Sequence, residues 1–516
     1  MISNLNDFSF RKDYQNLNIK RLLPFTRAVT ILASAVVSCG DTDSTATPDN
    51  QPTDNTAAVT EAVTDDPKLA AKTSYFDSLP AFSGTTKEIR FAGDTGDIAV
   101  EAEDGEKLND AIYRRNIEIE DRFGISIVHT EYDDRNALNS DIRNSVNAGD
   151  AVIDVISAFT NDIEPLFTAG YLVNLKNLPN INWEEPWWDV ENNKRISVGG
   201  FQFCAISELC QYANNVMAML VMNKELAANY DMEVPYQMVR DGKWTYDALY
   251  EIAKQVPLDS NGDGKMDVND DIVAVTGEAN NLIGIILSCG IDYFVKDADD
   301  YPVFVLNSEE NANRFEKIFN IFTDFQRMLT VDIVPGLKDV WGTWNTKFRS
   351  GNSLFMMDYP VNFSYYLDFE TDYGVLPMPK YDEAQENYRT MTHTRFTSAV
   401  CVPKVHAASD ADIGLILDVM SYLSYVDVVP TFTETYLENR YIRDEESAEM
   451  LRIAMGSKYI DLSTVVLQTT LGSVGSIPLN VIKKGTNTFV SDVEKKEKSI
   501  LKSIEKLHTT VAEVSE

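Results

Sequence analysis

Residues 152–175, VIDVISAFTNDIEPLFTAGYLVNL, decide the fold. The stretch opens with a continuous apolar run broken by one acid, residues 152–156, the pattern of a strand covered on both faces. Ser157, Ala158, Phe159, Thr160 and Asn161 form a break. Residues 162–169 then have helical periodicity, and Gly170 closes the unit. Two similar units lie upstream. Residues 87–93 (KEIRFAG) read as a short strand. Leu108, Ile112, Ile119 and Phe123 fall on one face of a helix over residues 108–123, which Gly124 ends. Residues 125–128 make a second strand and residues 134–147 a second helix. Strands alternating with helices in this way predict an α/β fold with a parallel, doubly wound sheet. Ligands of such sheets sit beyond the carboxyl ends of the strands. That rule puts Gly93, Asp94 and Thr95 on one rim with Phe159 and Asn161.

The remaining chain sets wide limits. Its 516 residues allow several domains, and a hydrophobic content of 44% is ample for a core. The net charge of −35 argues against nucleic acid and anionic lipid as partners, because both need clustered Lys and Arg. Near the N-terminus, Arg11, Lys12, Lys20, Arg21 and Arg27 precede the apolar run AVTILASAVVS, residues 28–38. A membrane-spanning helix needs about 20 such residues, so this run reads as a secretory signal. It ends in Val36-Val37-Ser38-Cys39, which resembles a bacterial lipobox, with Cys39 as the lipidated first residue of the mature chain. The other reading is an ordinary signal peptide with an incidental cysteine. Residues 39–84 then form a tether: up to about Lys72 they are rich in Thr, Asp, Ala and Pro and lack aromatics, so they cannot bury enough surface to fold.

Further along, Thr245 can cap a helix whose apolar positions are Leu249, Ile252, Ala253 and Val256, with Trp244 and Leu249 at staple spacing. Residues 259–270, DSNGDGKMDVND, follow it. A hard cation takes oxygen ligands at alternating positions of a sharply turned loop. Asp259, Asn261 and Asp263 occupy positions 1, 3 and 5, with Gly264 at the turn. Lys265 offers its carbonyl at 7, and Asp267 and Asp270 stand at 9 and 12. A structural Ca2+ is expected here; the competing reading is a solvated acidic turn. Cys204 and Cys210 are close enough in sequence for a disulfide in an exported protein, though small buried thiols fit equally well.

The order of several segments resembles bacterial extracellular solute-binding proteins. The resemblance is strongest to the sugar-binding class of ABC importers that includes the maltodextrin-binding proteins, in the lipoprotein form found in Gram-positive bacteria. The segments are LNDAIYRRNIEIEDRFGISI, residues 152–175, WEEPWWD, VMAMLVMNKELAANY, DGKWTYDALYEIA, FRSGNSLFMMDYP, YGVLPMPKYDEAQENYRT and FTSAVCVPK. The resemblance implies two α/β lobes with the ligand between them. Lobe one would take residues 85–212 and 376–430, and lobe two residues 213–375 and 431–516. It also implies a monomer that is not an enzyme. Such a protein captures a carbohydrate, passes it to the permease subunits of an ABC transporter, and meets the membrane only through its lipid.

Sugars are held by aromatic faces against their C–H groups and by planar polar groups on their hydroxyls. On the cleft the resemblance implies, Trp188, Trp341, Trp344, Asp358, Tyr359, Arg395 and Phe396 join Asp94, Phe159 and Asn161 as candidate ligand-binding residues. Ala158 and Phe159 stand where maltodextrin binders carry Trp and nearby charged groups, so maltodextrin itself is not implied. Two other classes compete. A secreted carbohydrate-active hydrolase would need two carboxylates facing across a sugar site. A calcium-dependent, dockerin-like interaction protein would carry two calcium loops close together, and the sequence has one.

Overall fold

A computed structural model describes residues 67–93, 98–132, 134–257, 259–265, 270–330, 340–438 and 441–515. The chain divides into two units, Met1–Asp77 and Ser78–Glu516. In the first, the predicted tether turns helical at its end: Pro67–Ser78 is a helix with no buried residue. Pro67 stands at the first helical position, and Leu69, Ala70, Ala71 and Lys72 are strong helix formers, so local propensity makes this helix without a core.

The second unit holds two main sheets. The first contains β1 (Glu88–Gly93), β2 (Ser126–Glu131), β3 (Val155–Phe159) and β12 (Ser398–Cys401), in the order β12-β3-β1-β2. The strands β1, β2 and β3 are parallel, and β12 runs antiparallel to β3. The helix Lys107–Phe123 ends at Gly124, which takes the left-handed conformation the sequence asked of it. The helix Arg135–Ala148 is capped by Asp134, whose side chain accepts from the Asn136 N–H. β3 starts three residues later than the apolar run suggests. The reason is Asp154, which is buried and accepts from Arg90 and from the backbone N–H groups of Ala407 and Ala408. Those bonds tie Asp154 to a junction, and the ladder begins beside it, Val155 opposite Phe91.

The second sheet contains β4 (Met219–Asn223), β5 (Val273–Gly277), β8 (Met328–Thr330), β9 (Ser353–Asp358) and β10 (Tyr373–Pro377), in the order β10-β4-β9-β5-β8. It is mixed: β5 is parallel to β8 and β9, whereas β4 is antiparallel to β9 and β10. β6 (Phe294–Lys296) and β7 (Pro302–Phe304) form a hairpin, and β11 (Thr390–Met391) pairs with β13 (Lys458–Tyr459). Thr245 caps the helix Tyr246–Ala253 by accepting from the Ala248 N–H. The C-terminal helix Phe489–Ser515 buries Ile500, Ile504 and Leu507 and packs on β7 and the helix Glu309–Phe322. The stretch Asp410–Glu434 is apolar enough and long enough to span a bilayer, yet it is mostly buried inside the protein.

Two crossing segments run side by side between the sheets. The Ala218 N–H donates to the Met391 carbonyl at 2.9 Å, and the His393 N–H to the Val216 carbonyl at 2.7 Å. One segment enters β4 and the other leads to β12, so the pair forms a double-stranded hinge. Two stretches assigned by sequence to lobe two lie against lobe-one helices instead: Thr431–Glu438 packs on the helix Lys107–Phe123, and residues 462–466 pack on the helix Thr160–Thr168. Cys204, Cys210, Cys289 and Cys401 are buried free thiols.

Candidate functional site

The carboxyl ends of β1 and β3 make one rim, and those of β5 and β9 make another. At the first, a Cβ on Gly93 would lie 1.7 Å from the Ser157 carbonyl oxygen, so the strands approach too closely there for any side chain. β3 ends at Phe159, paired with Ser398 of β12, and this register brings Phe396 beside Phe159. Their ring centroids are 5.6 Å apart, nearly edge to face. Tyr212 lies 5.7 Å from Phe159 on its other flank. The Arg135 guanidinium sits 4.7 Å from the Phe159 ring and 5.6 Å from the Phe396 ring, with Asp162 at 3.5 Å. Arg135 reaches this place because it opens a helix directly after β2.

From Phe396 the ring chain continues across the hinge. His393 is 4.7 Å from Phe396, and Tyr359, at the end of β9, is 5.0 Å from His393. His393 Nδ1 accepts from the Arg395 N–H, which leaves Nε2 to carry the proton, 3.7 Å from the Glu278 carboxylate that follows β5. The two rims are thus joined by one run of aromatic and charged groups. The short helix Tyr212–Asn215, where the chain leaves lobe one, packs on the turn Pro360–Tyr366 of lobe two.

Several polar atoms around these rims are buried without a hydrogen-bond partner among the described residues. They are Asn161 Oδ1, Gln211 Oε1, Asn215 Oδ1, Trp344 Nε1, Asn362 Oδ1 and the Tyr359 hydroxyl. A buried polar group without a partner is costly, so a concentration of them points to a ligand that supplies the missing bonds. Burial holds the Tyr359 phenol well above its usual 10, which keeps it a neutral donor.

The structure sorts the sequence-derived candidates. It brings Phe159, Asn161, Tyr359 and Phe396 to the rims. Trp341 is half-buried at the edge of lobe two, its indole donating to Asp358 at 3.2 Å and its ring 4.8 Å from Tyr365. Trp188 is a correction: it is fully buried in lobe one, tilted against Trp183, and its indole donates to Asp418 at 2.7 Å. Trp344 is also buried, its indole N–H among the atoms lacking a partner. Asp358 faces inward, accepting from Trp341, Asn362 and Tyr366, and burial pushes its carboxyl up to about 6 despite these donors. Arg395 is exposed, and it is its backbone that serves the site. Asp94 and Cys39 lie outside the described residues. Arg135, Tyr212, Glu278 and His393 were missed. Applying the strand-end rule to VAVTG, residues 273–277, would have found Glu278.

The acidic loop lies apart from these rims in sequence. Asp259 accepts from the N–H groups of Gly262, Asp263 and Gly264 at 2.7–3.0 Å, so the chain winds around its carboxylate. Gly264 takes a positive φ of 84°, as its place in the turn requires. Asn261 accepts from Asp263, and Asp263 from Lys265. The buried Asp271 carboxylate holds the backbones of Ser260 and Asn261. Asp270 is exposed, and Asp267 lies outside the described residues. Among the described residues no group of three or more His, Cys, Asp or Glu side chains is assembled as a metal site.

A search of curated proteins finds no match. The fold is similar to a cyclo/maltodextrin-binding protein complexed with maltotetraose, with a TM-score of 0.54 at 15% identity over 82% of this chain and 98% of that one. It is also similar to the cyclic alpha-maltosyl-1,6-maltose binding protein from Arthrobacter globiformis, with a TM-score of 0.56 at 12% identity over 81% and 99%. The sugar-binding protein MalE from Xanthomonas citri gives a TM-score of 0.54 at 12% identity over 83% and 99%. At such identities the likeness is one of fold. The family model of bacterial extracellular solute-binding proteins matches residues 118–412, more than half of the sequence. The two sheets, the double hinge and the facing rims fit that match, and the chain belongs to the bacterial extracellular solute-binding proteins.

Proposed function

We propose that the chain captures an oligosaccharide between its lobes and delivers it to the permease of an ABC importer, without covalent chemistry. The observation that carries this reading is the set of partnerless polar atoms gathered around a run of rings from both rims. A sugar offers both complements at once: C–H faces for Phe159, Phe396 and Tyr359, and hydroxyls for Asn161, Gln211, Asn215 and the Tyr359 phenol. Because those atoms are buried between elements of both lobes, ligand entry requires the lobes to part, and the ligand then favours closure by its differential affinity for the closed form. Maltotetraose complexed with one protein of the same fold, and the cyclic maltosyl-maltose binding named for another, support the ligand class. A lipid on Cys39 would hold the protein at the outer face of the membrane. A Ca2+ in the loop at residues 259–270 would order the join after the helix Tyr246–Ala253 and take no part in ligand binding.

The test is ligand-linked stabilisation against a panel of linear and cyclic oligosaccharides. At least one should raise the melting temperature in a concentration-dependent way and be recovered unchanged. Turnover of the sugar, or no shift with any member of the panel while peptides give one, would overturn the reading.

A further inference from the structure

A cavity of about 240 Å³ opens beside the paired strands β11 and β13. It is remote from the cleft: the helix Ala279–Ser288 starts beside Glu278 at the rim and ends before Asp292 at the cavity, and its ten residues span about 15 Å. Its walls come from three places. Arg195 belongs to the helix Val190–Ile196 of lobe one, Asp292 and Phe294 to lobe two, and Arg389, Tyr459 and Asp461 to the paired strands β11 and β13 and the residues beside them.

Two features of these walls are left open by the protein itself. The first is Arg195. It stacks on the Tyr459 ring at 4.6 Å and donates to Asn192, yet no carboxylate pairs with it among the described residues. Arg389, by contrast, also stacks on Tyr459 at 4.8 Å but is neutralised by Asp292 at 2.7 Å. The second is Asp461, only 5% exposed. Its Oδ1 accepts from the backbone and hydroxyl groups of Ser463 and Thr464, four bonds in all, while Oδ2 accepts none among the described residues. Asp461 Oδ2 is thus open to the cavity and has no donor from the described residues, and the same cavity holds a guanidinium that no carboxylate among them pairs, so a ligand that can serve both fits it.

We propose that this cavity is a second binding site, for a small hydroxycarboxylate of the sugar-acid class. The ligand's carboxylate would pair with Arg195, whose planar fork suits it. A ligand hydroxyl would meet Asp461 Oδ2. A hydroxyl both donates and accepts, so it suits that carboxyl charged or neutral, and burial does raise the Asp461 carboxyl from its ordinary value. Phe294 gives the C–H face of the ligand an apolar wall. An uncharged sugar lacks the group for Arg195, and inorganic phosphate lacks the C–H face.

The experiment is calorimetric titration of the full mature chain with glucuronate, glucose and inorganic phosphate. Glucuronate should bind at one site, and glucose and phosphate at least about tenfold more weakly. Arg195→Gln, which breaks no ion pair among the described residues but loses the stacking on Tyr459, should weaken glucuronate binding about tenfold or more while the variant stays folded, its melting temperature only slightly lowered. Tyr359→Phe, in the cleft, should leave it unchanged. The proposal is overturned by no glucuronate binding at millimolar concentration, by phosphate binding as well as glucuronate, or by an Arg195→Gln variant with full affinity. Loss of glucuronate binding in Tyr359→Phe would assign the ligand to the cleft instead. The proposal stands or falls separately from the oligosaccharide reading, which the cleft and the sugar panel test.

Discussion

Tyr359→Phe separates binding from folding at a single oxygen. The ring sits at the carboxyl end of β9, 5.0 Å from His393, and is 3% exposed. Phenylalanine keeps that packing and removes only the hydroxyl, which has no partner among the described residues. A buried polar group left without a bond costs about 1–3 kcal/mol, so its removal should leave the unliganded protein as stable as before or more stable by up to about 1 kcal/mol. In the complex the phenol is a neutral donor, and a neutral hydrogen bond is worth about 0.5–1.5 kcal/mol, so affinity should fall about two- to tenfold. Denaturant unfolding of the free protein measures the first quantity and calorimetry with the identified sugar the second. A variant that is clearly less stable yet binds at full affinity would refute the reasoning, because the hydroxyl would then serve the fold and not the ligand.

Trp188→Ala should do the opposite: removing a fully buried indole costs about 3–5 kcal/mol, while the protein that remains folded binds its ligand normally, as unfolding and titration side by side would reveal. Asp358 has its carboxyl raised from 3.8 to about 6, so the folded chain keeps a proton that the unfolded chain releases. Its contribution to stability is therefore present below 3.8 and lost as pH rises through about 6; Asp358→Asn should flatten that part of a melting-temperature profile, and an unchanged profile would contradict it. Chelation should lower the melting temperature and Ca2+ restore it better than Mg2+, with the response absent in Asp263→Ala; a metal-stripped protein that takes up no Ca2+ at millimolar levels would reject the site. Cys39→Ala should release the protein from lipid anchoring, and membrane fractionation showing labelled lipid still attached would disprove the assignment.

How much of this was legible depends on whether a signal is local. The strands and helices of lobe one were, because Ile112 and Ile119 repeat with the period of their helix and Val155 and Ile156 belong to an unbroken apolar run buried on both faces. The rim position of Phe159 followed from the rule that ligands lie beyond the carboxyl ends of strands. The fate of each tryptophan did not. Trp188 is taken into the core by Asp418, a residue 230 positions away, and nothing near Trp188 announces that partner. Arg135 and His393 were hidden for a related reason: each gains its role from a ring supplied by another segment, Phe159 for one and Tyr359 for the other. The tether's final helix was missed for the opposite reason, since composition outweighed the run of helix formers after Pro67.

The position of β12 beside β3 also fixes an order of events during folding. β3, with its five residues buried, waits for a neighbour that lies about 240 residues further along the chain, roughly ten to fifty seconds of synthesis at ordinary rates. Until that neighbour arrives, one edge of a flat apolar strand offers its backbone to any other chain. The second sheet can complete itself only when β10 emerges, shortly before β12, so neither lobe has a closed sheet until most of the polypeptide is present. Such a chain gains little by folding as it is made. It is better delivered across a membrane as an extended thread and allowed to close both sheets at once on the far side.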